Sequence, residues 1–128
     1  MYSYDLLMSK TSGHPVWAGY FDHAMPWPDH LEFGAFHSGE LPYMFRNLEH
    51  VDHPWAPFDK KLADTYSSYV VNFATKGDPN GKDLPVWAAF TASAPVIQEI
   101  GERPGATPAL SPEKFAFWNE YWKEHQGW

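Results

Sequence analysis

The sequence contains no cysteine, and this absence removes several kinds of chemistry. Disulfide scaffolds, thiolate nucleophiles and cysteine-based zinc sites are excluded, because each of them needs a thiol. Long apolar runs are missing as well, since no stretch approaches the roughly 18 apolar residues of a candidate membrane-spanning helix. The opening residues Met-Tyr-Ser-Tyr-Asp have neither the basic start nor the apolar run of a signal peptide, so we expect no leader here.

Basic residues are also scarce: 9 Lys and Arg stand against 16 Asp and Glu, which gives a net charge of −7. We therefore expect no nucleic-acid partner and no membrane partner, because phosphate-bearing surfaces are bound by clustered Lys and Arg. Apolar and aromatic residues are plentiful, at 44% and 18%, and charged residues make up 20%. This composition predicts a folded chain with a core and argues against disorder.

Three segments carry the pattern of a helix. Residues 2–11 place apolar side chains at helical spacing, and Gly13 stands where a helix commonly ends. The clearest pattern runs over residues 57–76, between a proline suited to the first helical turn and Gly77. The last helix is predicted to begin after Ser111, a residue type that caps helices.

Strand-forming residues are concentrated in residues 16–21, a short apolar run without alternation that is typical of a strand covered on both faces. Residues 87–90 and 96–100 are interpreted as two short strands joined by a loop, and residues 101–110 as irregular. The two short strands are expected to be too short to form a sheet with the first. Because a lone strand cannot satisfy its edges or cover its faces, the sequence predicts a piece of a larger structure.

Residues 22–36 are interpreted as a long loop, followed by a short turn or helix over residues 41–45 and a second loop over residues 50–57. Loops of this length are usually functional or disordered. The aromatic residues of the first loop argue against disorder, so a functional role is the expectation.

Residues 34–45, with the sequence GAFHSGELPYMF, closely resemble the histidine motif of the type B carboxylesterases. That family includes bacterial esterases active on aryl esters and the cholinesterases, and its members carry Gly-x-x-His-x-x-Glu-(Leu/Ile)-x-(Tyr/Phe)-x-Phe at this place. Further landmarks follow in the family's order, namely residues 69–74, 77–81, 84–87 and the closing aromatic helix. Ala88 and Phe90 stand where the family usually has proline and tyrosine, a difference that touches packing and not chemistry.

The resemblance implies the α/β class and the α/β-hydrolase fold, of which residues 1–128 would be the C-terminal segment and not a complete domain. Its parts would be a helix, one core strand, the histidine-bearing loop, the long helix, a small two-strand element and the C-terminal helix. The family's Gly-x-Ser-x-Gly elbow, acidic triad member and oxyanion-hole glycines are expected upstream of Met1. We therefore expect the isolated chain to be inactive and to self-associate through exposed core surface, with the missing N-terminal part of the hydrolase as its partner.

By resemblance, His37 is the general base and acid of a Ser-Glu/Asp-His mechanism that hydrolyses small esters through an acyl-enzyme. Imidazole suits both tasks, because its pKa lies near neutrality. Glu40 is implied as a support of the loop through hydrogen bonding, and not as the triad acid. Phe33 and Phe36 precede His37 and are candidates for lining the acyl or alcohol pocket. Ser38 is not expected to be a nucleophile, since the glycine-flanked elbow is missing.

No cofactor and no metal site are expected. His23, His30 and His37 are spaced by seven, but they lie in a loop interrupted by proline, where regular spacing does not predict a common face. Two alternatives to an esterase segment stay open. The first alternative is that the chain comes from a cholinesterase-like protein that has lost catalysis and serves in binding. The second is that the chain is a free-standing small domain of unknown role.

Overall fold

The computed structural model describes residues 2–125. Its α-helices are α1 (Tyr2–Thr11), α2 (Leu41–Met44), α3 (Pro57–Lys76) and α4 (Pro112–Glu124). Two short 3₁₀ helices cover Pro28–Phe33 and Leu48–His50, and the strands are β1 (Gly19–Phe21), β2 (Val96–Ile100) and β3 (Gly105–Pro108). The helices predicted over residues 2–11, over residues 57–76 and after Ser111 are confirmed.

Local signals fix both ends of α3. Pro57 takes the first helical turn, where the backbone N–H that it lacks would have no helical partner. Asp59 Oδ2 accepts the Ala56 backbone N–H at 2.8 Å, so the carboxylate lies at the positive end of the helix dipole. Gly77 follows the helix with a φ of 73°, and its N–H donates to the Phe73 carbonyl at 2.8 Å. Glycine adopts this left-handed conformation without strain, which ends the helix there.

The three strands form one mixed sheet in the order β1-β2-β3. β1 runs parallel to β2, with Gly19 opposite Gln98 and Phe21 opposite Ile100, and β2 runs antiparallel to β3. Parallel neighbours need a long connection, and α3 lies in the chain between β1 and β2. The sheet therefore joins the early part of the chain to its last third.

Residues 87–90 do not form the strand that the sequence predicted. The Asn80 side chain accepts the Trp87 backbone N–H at 2.7 Å and donates to the Trp87 carbonyl at 3.0 Å, so the backbone groups of this residue are not available for a ladder. Phe90 makes an isolated bridge to Val16. Phe90 is buried, at 1% exposure, but the hydrogen bonds of the Trp87 backbone go to a side chain and not to a neighbouring strand.

Two further expectations about the early strand and its neighbours were wrong. β3 lies within residues 101–110, which were expected to be irregular, because Gly105 and Pro108 occupy the ends of an edge strand, where a missing donor is tolerated. Residues 96–100 were expected to be too short to pair with the early strand. They form β2 and do pair with β1, because β1 itself is only 3 residues long. Of the strand predicted over residues 16–21, only Gly19–Phe21 forms β1. Tyr20 is 56% exposed within residues 2–125, so coverage of both faces by a larger structure stays a prediction.

The core is small and is built by α2, α3 and the sheet. Its buried members and the partly buried residues against them are Tyr43, Leu48, Leu62, Ala63 and Ile100, with Phe21, Trp55, Tyr66 and Trp87. Large apolar side chains also remain exposed, and α4 contributes four of them, Phe117, Trp118, Tyr121 and Trp122. No helix within residues 2–125 is long and apolar enough to cross a membrane.

Candidate active site

His37 lies near the end of the loop formed by residues 24–40, called the His37 loop below, in the turn that precedes α2. The Gly39 N–H donates to the Phe36 carbonyl at 3.0 Å, which closes the turn around His37. Ser38 has a φ of 73°, and a Cβ on Gly39 would lie 3.1 Å from the Phe36 carbonyl oxygen, so glycine fits this tight turn without displacing its neighbour. The His37 side chain is exposed, which leaves the imidazole accessible for proton transfer.

Glu40 stands directly before α2, and its carbonyl oxygen accepts the backbone N–H groups of Tyr43 and Met44 at 3.1 and 2.9 Å. Burial, and secondarily the negative charge of Glu40, raise the pKa of the Tyr66 phenol on α3. The charge of Glu40 thus influences a side chain of α3. Its hydrogen-bonding support of the loop stays a prediction.

Phe33 and Phe36 belong to an aromatic cluster centred on Trp27. The ring centroid of Trp27 lies 5.4 Å from that of Phe33 and 6.4 Å from that of Phe36. Both phenylalanines present part of their rings to solvent, at 46% and 37% exposure. A groove of about 700 Å³ elsewhere, lined by residues that include Arg46 and Asp64, does not include His37. That Phe33 and Phe36 line a substrate pocket stays a prediction.

A buried polar cluster lies next to the two ends of the His37 loop. Nε2 of His23 is 2.8 Å from Oδ1 of Asp59, and the Tyr43 hydroxyl donates to the same oxygen at 2.7 Å. Burial by itself raises the pKa of Asp59, but the hydrogen bonds from Tyr43, His23 and the Ala56 N–H outweigh it and hold that pKa below its ordinary value. Burial, followed by the hydrogen bond to Asp59, raises the pKa of Tyr43. The cluster therefore holds a carboxylate in its charged form inside the protein.

Sequence reasoning did not find this cluster. The sequence placed His23 beside His30 and His37 only as regularly spaced histidines for which no metal site was expected, and no local pattern marked Asp59 as the partner of His23. In the structure His23 is paired with Asp59, whereas His30 contacts Glu32 at the surface with a distance of 3.2 Å between Nδ1 and Oε1. Residues 2–125 contain no group of three His, Asp or Glu side chains arranged to hold a metal ion.

Known proteins resemble the chain over most of its length. The sequence model of the carboxylesterase family matches residues 3–118. Human cocaine esterase (Homo sapiens) is 30% identical over 117 residues, which cover 87% of this chain and 20% of that protein. Phenmedipham hydrolase of Pseudarthrobacter oxydans is 31% identical over 109 residues, which cover 77% of this chain and 21% of that protein.

A shorter stretch matches a mammalian enzyme more closely. Liver carboxylesterase 1 of Oryctolagus cuniculus is 39% identical over 62 residues, which cover 48% of this chain and 11% of that protein. The chain thus spans about a fifth of the length of the curated relatives that match most of it, at 20% and 21%. The family match over residues 3–118 confirms the resemblance carried by the histidine motif: the chain belongs to the carboxylesterase family.

Proposed function

We propose that this chain supplies the general base, His37, to a carboxylic-ester hydrolase that acts through a serine nucleophile and an acyl-enzyme. The observation that carries the proposal is the position of His37, whose exposed imidazole stands on a turn closed by the Gly39–Phe36 hydrogen bond, inside the segment that matches the family. Because its imidazole is exposed, this histidine can contact a reacting group directly.

The chemistry asks one group to move a proton twice. The imidazole of His37 takes the proton of the serine hydroxyl as the oxygen attacks the ester carbonyl, and it later gives that proton to the departing alkoxide. Water then attacks the acyl-enzyme with the same imidazole as base, which releases the acid and restores the serine. Histidine suits the cycle because its ordinary pKa lies near neutrality.

The serine, the acidic partner and the oxyanion donors would come from a segment outside residues 1–128, as the sequence contains no Gly-x-Ser-x-Gly. The substrate would be a small carboxylic ester. The partly exposed rings of Phe33 and Phe36, which lie in the same loop as the imidazole, are proposed to line its acyl or alcohol side.

The test uses the assembled esterase, meaning this chain together with the segment that bears the nucleophile, as one polypeptide or as two co-expressed chains. We expect His37→Ala to lower kcat for p-nitrophenyl acetate by about a thousandfold or more, because the serine then lacks its base.

The matched control is His50→Ala, which removes an imidazole that is 74% exposed and lies outside the His37 loop. Its activity should equal that of the unchanged protein. An esterase that keeps its kcat after His37→Ala, or that loses as much kcat after His50→Ala, would contradict the proposal.

A further inference from the structure

We propose that His23, Tyr43 and Asp59 form a positioning network that holds both ends of the His37 loop and thereby sets where the imidazole of His37 stands. This inference rests on the proposed role of His37 as the base. It assigns no new chemistry to the three residues, which act through the loop and not on the substrate.

The geometry of the network joins the two ends of the loop at one atom. His23 immediately precedes the loop, and Tyr43 follows it on α2. Both side chains contact Oδ1 of Asp59, at 2.8 and 2.7 Å. The second oxygen of Asp59 accepts the Ala56 N–H at 2.8 Å, which ties the carboxylate to the first turn of α3. The loop ends are thus fixed to the longest helix among the described residues.

Burial makes this anchoring firm. Tyr43 is 0% exposed and Asp59 is 3% exposed, while the His23 side chain is 11% exposed. The rings of Phe58 and Trp55 pack against the network, with centroids 5.1 Å from that of His23 and 5.7 Å from that of Tyr43. Hydrogen bonds to a charged carboxylate are short and strong in such surroundings, and a group left without its partner there is costly.

A second line of contact runs from the network to the residue before His37. The Trp55 ring packs against Tyr43, and its centroid lies 5.4 Å from that of His53. The centroid of His53 lies 5.1 Å from that of Trp27. Trp27 in turn packs against Phe36, the immediate neighbour of His37, with 6.4 Å between the ring centroids. A shift of α2 relative to α3 would therefore reach the turn that carries the imidazole through packed rings.

The decisive comparison is between two buried tyrosines whose hydroxyls donate to different acceptors. Tyr43→Phe removes the hydroxyl that donates to Asp59. Tyr69→Phe, the matched control, removes a hydroxyl on α3 that donates to the Pro85 carbonyl at 2.6 Å, from a residue that is 1% exposed. Each variant deletes one oxygen and keeps its ring, so both lose a buried hydrogen bond, but only the first loosens the His37 loop.

In the assembled esterase we expect Tyr43→Phe to lower kcat by about tenfold with a smaller change in KM, because a misplaced base slows the proton transfers more than it weakens substrate binding. Tyr69→Phe should leave kcat within about twofold of the unchanged protein. Equal losses of kcat in the two variants would show that the hydroxyl of Tyr43 matters for stability only, and would overturn the inference.

Amide hydrogen exchange on the chain gives a readout that needs no activity. Tyr43→Phe should speed exchange at Gly39, whose N–H closes the turn, while amides in the middle of α3 keep their rates. If His37→Ala leaves the esterase active, the proposed function falls, yet faster exchange at Gly39 would still support the network. Unchanged exchange at Gly39 in Tyr43→Phe overturns the network whatever the activity shows.

Discussion

Asp59 is a charged side chain in a place where charge is expensive. Its carboxylate is almost fully buried, and an isolated carboxylate in such surroundings would take up a proton. Three donors prevent this, namely Tyr43, His23 and the Ala56 N–H, and each of them stabilises the charged form. The pKa of Asp59 therefore lies below its ordinary value of 3.8. The consequence is a stability contribution that depends on pH.

We expect Asp59→Asn to lower the free energy of unfolding by about 2–4 kcal/mol at neutral pH, because the network loses its negative charge and one of its two acceptor oxygens becomes an NH2 donor. The lowered pKa means that the carboxylate stabilises the fold above its unfolded-state pKa, and that this stabilisation is lost as the pH falls through the folded-state pKa. The difference between the two proteins should therefore shrink below about pH 4. Urea unfolding at pH 7 and pH 3 measures it.

The control for this variant is Asp64→Asn on the same helix. Asp64 is 58% exposed and pairs with Arg46 at the surface, so its loss should cost less than about 1 kcal/mol at either pH. A destabilisation by Asp59→Asn that is the same at both pH values would show that the network does not depend on the charge.

At this scale the sequence could propose His37 as a candidate base, but it could not predict the contacts that Asp59 makes. His37 lies in a contiguous motif, so its neighbours identify it without any knowledge of the fold. The partners of Asp59 lie 36 and 16 positions away, at His23 and Tyr43. Such a contact depends on how α2, α3 and the end of β1 pack, and no local pattern reports it. Tyr43 lies within the motif, but its sequence position does not reveal that its hydroxyl donates to Asp59.

Among the elements, the helices were predicted more completely than the strands: the strand over residues 96–100 is confirmed as β2, but β3 was missed and residues 87–90 form no strand. A helix satisfies its own backbone, so Pro57 and Gly77 mark the ends of α3 in the sequence itself. A strand depends on a partner elsewhere. β3 contains glycine and proline, residues that usually indicate a break in secondary structure. Residues 87–90 have the pattern of a strand, but the Asn80 side chain takes both backbone hydrogen bonds of Trp87.

The end of α3 offers a test of this local control. Gly77 has a φ of 73° with no atom within 4 Å of an added Cβ, so Gly77→Ala meets backbone strain and no clash. We expect it to lower the free energy of unfolding by about 1–2 kcal/mol, the cost of a left-handed conformation for an L-residue. Thermal or urea unfolding of the chain measures the change.

Gly105→Ala is the matched control, because an added Cβ there also meets nothing within 4 Å and its φ lies outside the left-handed region. It should be neutral or slightly stabilising, since alanine restricts the unfolded chain. Equal costs at the two glycines would mean that the φ of Gly77 does not end the helix.

In the molecule as a whole, many large apolar side chains are exposed. α4 has no buried residue, and four of its aromatic side chains are between 39% and 60% exposed. Contiguous apolar patches of this kind mark places where another surface packs. A segment bearing the nucleophile is the proposed cover in the assembled esterase, and a free-standing small domain would have no use for such a patch.

We therefore expect the isolated chain to self-associate in a concentration-dependent manner and to bind an apolar dye. Phe117→Lys, at a side chain that is 60% exposed on α4, should weaken both effects without unfolding the chain. Val86→Lys, at a side chain that is 77% exposed outside the helices, should change neither. Sedimentation velocity and dye fluorescence measure them, and a dye-silent monomer at every concentration would favour the free-standing domain.

The anchoring of the His37 loop also bears on the order in which the chain folds. Asp59 meets His23 across 36 positions, and contacts of such separation form late because the intervening chain must first be closed. The carboxylate takes its place only once the first turn of α3 exists, since its other oxygen caps that turn. The imidazole of His37 would thus come into position only after the helices have formed, so a newly made chain would acquire its local helices before the geometry of the His37 loop.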